Sequence, residues 1–123
     1  MIIGIGTDII EIERIKKAIS RSDNFLKRMF SEDEIQYFKE RKFSPQTIAG
    51  NFAAKEAMSK ALGTGFRGFN FNEIEILRDS LGKPLGKISK KIEDTMNLKD
   101  YKINVSISHD NSSAIAFVII EEV

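Results

Sequence analysis

The sequence predicts an α+β fold in which an antiparallel sheet packs on one long central helix. Three observations carry this expectation. An alternating apolar run, "IIGIGTD", opens the chain at residues 2–8. A stretch of strong helix formers fills residues 44–65. Two alternating segments around a polar turn close the chain at residues 101–123. With 123 residues and no linker, internal repeat or low-complexity segment, residues 1–123 are expected to form a single domain.

In the opening strand Ile3, Ile5 and Thr7 point one way and Ile2, Gly4, Gly6 and Asp8 the other. "EIERIKKAIS" then reads as an amphipathic helix burying Ile12, Ile15 and Ile19. "NFLKRMF" is a short apolar-basic segment. Ser31 followed three residues later by Glu34 is a capping-box signature for the next helix. The central helix has Pro45 in its first turn and Gly63 and Gly65 at its end. Its Ala53, Ala57 and Ala61 form a small-residue edge that lets another element pack closely. A hairpin around Gly82, a short helix at "ISKKIEDTMN" and a final hairpin turning at residues 110–113 complete the chain.

Composition excludes several kinds of chemistry. There is no cysteine, so disulfides, thiolate metal sites and cysteine nucleophiles are ruled out. A single histidine, His109, rules out a multi-histidine metal site within one chain. Any metal needs carboxylates, and oxygen ligands point to a hard ion such as magnesium. A net charge of +1 gives no global field to attract nucleic acid, which is not expected as a partner. Asp8, Glu11 and Glu13 interrupt the apolar N-terminus, which also lacks a basic leader. The expectation is a soluble cytoplasmic protein with no membrane partner.

The candidate chemistry is read residue by residue. Asp8 shares a strand face with Gly4 and Gly6, whose missing side chains leave room for a ligand or another backbone. Equally, Asp8 suits a helix cap and the glycines suit packing. On the central helix Phe52, Glu56, Ser59 and Gly63 fall along one line with Lys60 beside them. Lys60 is placed to pair with Glu56 on a solvated face. "GTGFRG" lacks the phosphate-loop pattern and follows its helix instead of preceding it, so its glycines read first as helix-end material. Basic residues from Arg14 to Arg28, with Phe25, Met29 and Phe30 among them, read either as a solvated face or as a docking surface for an acidic partner. His109 alone reads as an ordinary strand-end residue.

Taken in order, "GIGTDIIEIERI", "FAAKEAMSKALGTG", "GKP" and "VSISHD…AIAFV" resemble the holo-[acyl-carrier-protein] synthases, the small type of 4′-phosphopantetheinyl transferase. The resemblance runs through essentially the whole chain. It implies the 4′-phosphopantetheinyl transferase fold. It also implies transfer of 4′-phosphopantetheine from coenzyme A to a serine of apo acyl carrier protein, releasing adenosine 3′,5′-bisphosphate. It implies magnesium as cofactor and a homotrimer with sites at subunit interfaces. Asp8 and Glu56 map to the metal pair, and Lys60 to a position near the coenzyme A phosphates. Ser59, Gly63, Lys83, Pro84 and His109 join that coenzyme A site. Arg14 maps to the carrier-protein face, with Arg21, Phe25 and Arg28 beside it. For catalysis Glu56 is the first candidate base, His109 a contact to a phosphate or the leaving group, and Asp110 a group that orients His109.

One position departs from the family. An arginine often stands before "FAAKEA", and here it is Asn51. Lys55, Arg41 and Lys42 are the nearby cations available to replace it. Two other readings stay open on the residues: a different magnesium-dependent phosphoryl-transfer enzyme, and a non-catalytic module that binds acidic helices through residues 14–30.

Overall fold

A ten-residue strand, β1 (Ile2–Glu11), opens the computed structural model, which describes residues 1–63 and 68–123. The strand runs past its expected end because β5 (Ser113–Glu122) pairs with it as far as Glu11↔Ser113. Four helices follow: α1 (Ile12–Arg21), α2 (Phe25–Met29), α3 (Glu32–Glu40) and the 18-residue α4 (Pro45–Leu62). Then come the hairpin of β2 (Ile74–Arg78) and β3 (Pro84–Ile88), helix α5 (Lys90–Thr95) and β4 (Tyr101–His109). The main sheet is antiparallel with strand order β1-β5-β4, and β2-β3 is a separate pair. The α+β expectation, with an antiparallel sheet on a long helix, holds.

α4 is the axis of the packing. Its alanine edge, Ala53, Ala57 and Ala61, is buried and lies against β1 and β5. The approach requires Gly4 and Gly6. A Cβ on Gly4 would sit 1.8 Å from the Ala61 carbonyl oxygen, and one on Gly6 1.9 Å from that of Ala57. The room left by the two glycines is therefore filled by helix backbone. Of the two readings offered for them, packing is the one realised.

Ser31 and Glu34 form the capping box that their spacing predicts, each side chain serving the other's backbone N–H. Glu34 does more than cap. Together with Asn51 and Lys55 it is fully buried. Its Oε1 takes Lys55 Nζ at 2.6 Å, and its Oε2 accepts from Asn51 Nδ2 and the Ile76 N–H, both at 3.2 Å. Burial pushes the Glu34 carboxyl up and the Lys55 ammonium down, and each opposes the other's shift. Lys55 also lies 4.9 Å from the Phe30 ring centre and 5.4 Å from that of Phe71. The network ties α3, α4 and β2 together. Among the described residues no helix is long and apolar enough to cross a membrane.

Candidate active site

Asp8 lies within β1, opposite Ala116, on the face turned toward α4. It caps nothing: Glu11 holds the N-cap position of α1, without a side-chain cap bond. α4 brings Glu56 and Lys60 to the same region. Lys60 Nζ lies 3.2 Å from Asp8 Oδ1 and donates to the Thr7 carbonyl at 3.0 Å. The expected Lys60–Glu56 surface pair is replaced by this cross-element one. Glu56 is half-buried, and its carboxyl is raised above the ordinary 4.5, first by burial and then by the like charge of Asp8, with Lys60 opposing.

Asp8 and Glu56 are the two carboxylates here that could hold a cation, with the Lys60 ammonium beside them. Among the described residues no group of three or more aspartate, glutamate or histidine side chains forms. A hard ion held by Asp8 and Glu56 would leave the rest of its shell to water and substrate oxygen. That suits magnesium, which usually keeps several waters and takes one or two carboxylates plus phosphate.

The other candidate residues fall into separate places. Ser59 is buried and its hydroxyl donates at 2.7 Å to the Glu56 carbonyl, a bond internal to the helix. The hydroxyl is turned inward, so Ser59 leaves the set of surface contacts expected for coenzyme A. Gly63 ends α4 in the left-handed conformation, φ 81°, as a helix-end glycine does. Residues 64–67 of "GTGFRG" lie outside the described residues. His109 ends β4, opposite Ala114, which in turn pairs with Ile10 of β1. It is exposed, two strands away from Asp8, and lines a cavity of about 200 Å³ with Pro84, Gly50 and Arg78. Lys83 is exposed, and its backbone N–H donates to Asp79 Oδ1 at 2.9 Å in the β2–β3 turn.

Asp110 does not orient His109 through its carboxylate. Its Oδ1 accepts from the N–H groups of Ser112 and Ser113, both at 2.8 Å, which closes the turn and lowers its pKa. What meets the His109 ring is the Asp110 backbone carbonyl, 3.3 Å from Nδ1. The turn consumes this acid for local geometry.

On the basic face Arg14 and Arg21 are exposed on α1 and Arg28 on α2, and none has an ion-pair partner among the described residues. Phe25 departs from its expected docking role. It is buried, stacked on Phe52 at 6.3 Å and edge-on to Phe30 at 6.3 Å. Both Phe25 and Phe30 are core. Lys55 is likewise excluded as a replacement phosphate cation, because Glu34 holds it in the interior. Sequence reading missed Arg78, which reaches Asn51 from the adjoining strand. No local pattern announces that contact, since 27 residues separate the partners.

Comparison with known proteins places the chain in a family. Residues 4–118 match the 4′-phosphopantetheinyl transferase superfamily. The chain is 63% identical over 121 residues to a holo-[acyl-carrier-protein] synthase of Clostridium botulinum, covering 98% of both chains. Among solved structures, the Neisseria meningitidis holo-[acyl-carrier-protein] synthase superposes with a TM-score of 0.88 at 34% identity, covering 99% of this chain and 100% of that one. The Helicobacter pylori synthase in complex with coenzyme A gives 0.85 at 39% identity, covering 95% and 99%. The chain belongs to the holo-[acyl-carrier-protein] synthase family of 4′-phosphopantetheinyl transferases.

Proposed function

We propose that this chain, as one catalytic domain, carries out its family's reaction through the Asp8–Glu56 pair. The reaction moves the 4′-phosphopantetheine group from coenzyme A to a serine of apo acyl carrier protein. The observation that carries the assignment is Glu56, half-buried beside Asp8 with its carboxyl raised, and Lys60 bridging the two elements. Asp8 and Glu56 would hold magnesium, which when bound would supply positive charge to the phosphoryl group under attack. Glu56 accepts the proton of the attacking serine hydroxyl. Burial and the neighbouring Asp8 raise its pKa, which strengthens it as a proton acceptor relative to an ordinary glutamate. The serine oxygen forms a bond to phosphorus, and the bond to adenosine 3′,5′-bisphosphate breaks. Lys60 adds a fixed positive charge where the leaving phosphate gains negative charge. His109 and Pro84 line the cavity for the coenzyme A end of the substrate. Arg14, Arg21 and Arg28 offer unpaired cations to the acidic carrier protein.

The oligomer belongs to the same proposal. The outer face of the main sheet carries Ile5 and Ile9 of β1 beside Ile115 and Phe117 of β5. Ile5 is 59% exposed and Phe117 44%. A contiguous apolar face of this kind marks an interface. A homotrimer covers it and places a neighbouring subunit against Ser108 and His109, which line a shallow cavity with Ile9 and Ile115.

The test is direct. Apo acyl carrier protein is mixed with the chain, coenzyme A and magnesium, and its mass is followed. A gain of one phosphopantetheine group per carrier is expected, and no gain with a competent carrier refutes the reading.

A further inference from the structure

Arg78 is the last residue of β2, and its guanidinium turns back onto α4. Nη2 donates to Asn51 Oδ1 at 2.8 Å, and Nη1 donates to the Leu77 carbonyl at 3.2 Å. Its guanidinium carbon lies 5.1 Å from the centre of the Tyr37 ring, and that of Arg41 lies 5.3 Å from the same centre. Two guanidinium groups thus share one ring. Among the described residues Arg78 has no ion-pair partner. Burial, and after it Arg41, works against its charge, with Tyr37 and Glu34 opposing. A part-buried cation with no anion in hydrogen-bond reach is a costly arrangement unless a ligand supplies that anion.

The cavity beside it is built for one. It holds about 200 Å³ and is lined by Arg78, His109, Pro84, Gly50, Gln46 and Thr47, and among the described residues no carboxylate lines it. Gln46 and Thr47 belong to the first turn of α4, whose positive end adds to the field.

Asn51 explains how Arg78 is held. It is fully buried, and its amide is spent on Glu34 Oε2 at 3.2 Å and the Ile76 carbonyl at 2.8 Å. Only its oxygen is left for Arg78. Asn51 therefore cannot reach a ligand, but it fixes the residue that can. We infer that Arg78 is the phosphate-binding cation of this cavity, anchored by Asn51, and that together they replace the arginine that often precedes "FAAKEA" in this family. In this chain the charge stands on the strand and an amide stands on the helix. This rests on coenzyme A being the substrate, and the ligand group is one of its phosphates.

Calorimetric titration with adenosine 3′,5′-bisphosphate, alongside kinetics with coenzyme A, tests the inference. Losing a hydrogen-bonded charge on phosphate weakens binding by roughly 10- to 100-fold. Arg78→Gln is expected to weaken bisphosphate binding and raise KM for coenzyme A by about that factor, with kcat largely held. Arg78→Lys keeps a charge without the planar fork, and falls between the two. Asn51→Arg alone crowds two guanidinium groups and is expected to bind poorly. The exchanged variant, Asn51→Arg with Arg78→Asn, is expected to recover most of the bisphosphate binding. Unchanged bisphosphate affinity and KM in Arg78→Gln overturn the inference while leaving the coenzyme A reading intact. If that variant does not fold, an unchanged KM in Arg78→Lys overturns it equally. Failure of the parent protein to bind either compound overturns the coenzyme A reading, and this inference with it.

Discussion

Lys60 of α4 pairs with Asp8 of β1 at 3.2 Å, not with Glu56 one helical turn before it. The pairing joins the two elements whose backbones the glycines of β1 allow to touch. It also leaves Glu56 beside a like charge, with its carboxyl raised. The metal-free site is therefore electrostatically unfavourable in a way that can be measured.

The folded-state pKa of Glu56 lies above its unfolded value. Its contribution to stability is fully present below 4.5 and is lost as pH rises through the raised value. In chelator at neutral pH, Glu56→Gln is expected to melt at a higher temperature than the parent. The gap should close below pH 4.5. Thermal melts at the two pH values check this, and a less stable variant at neutral pH contradicts it.

Magnesium should relieve the same repulsion. A ligand at a hundred times its Kd adds about 2.7 kcal/mol to the folded state. The parent is expected to gain thermal stability as magnesium is added, and Asp8→Asn and Glu56→Gln much less. Melting curves across a magnesium titration give the comparison, with equal gains in all three proteins as the contrary result.

Gly6→Ala drives a Cβ toward the Ala57 carbonyl oxygen, which belongs to helix backbone and cannot rotate away. Overpacking typically costs about 1–3 kcal/mol, occasionally more. The expected outcome is a lower urea midpoint together with reduced transfer, because α4 carries Glu56 and Lys60. A variant with parental stability would falsify the close-packing account.

Lys55→Met strips the buried Glu34 of its counter-ion. Breaking such a pair costs roughly 3–5 kcal/mol. Replacing both residues, as Glu34→Leu with Lys55→Met, should cost less than the sum of the two single changes, even though it also unpairs the Asn51 amide and the Ile76 N–H. Urea unfolding of the parent, both single variants and the double variant measures the difference, and additive losses contradict the assigned pairing.

Much of this architecture was legible in the sequence. The alternation of β1, the Ser31–Glu34 box, the alanine edge of α4 and the Gly82 hairpin are local patterns, and local patterns survive without coordinates. The Asp8–Glu56 pair became legible only through the ordered motifs, since a carboxylate in a strand and one on a helix have no fixed relation by themselves. Three features were not legible. Phe25 reads as an aromatic within a basic segment, yet Phe52 and Phe30 enclose it. Asp110 reads as the neighbour of His109, yet the turn takes its carboxylate. Asn51 reads as a lost charge until Arg78 is seen against it. Each depends on contacts or geometry that residue identity alone does not encode.

The apolar sheet face predicts self-association. Phe117→Glu places a charge on that face, where Phe117 pairs with Thr7. The parent is expected to sediment as a trimer and the variant as a smaller species with impaired transfer. A monomeric parent removes the interfacial-site proposal.

The central claim is that Asp8 and Glu56 together perform the metal-assisted step. Its most direct test is the initial rate of phosphopantetheine transfer, read by carrier-protein mass, for the parent, Asp8→Asn and Glu56→Gln at saturating coenzyme A and magnesium. Loss of a positioned base alone is worth about 10²–10⁴ in rate. The expected result is a fall of that size in Glu56→Gln and a large fall in Asp8→Asn, with both variants folded. Parental rates in either variant contradict the claim.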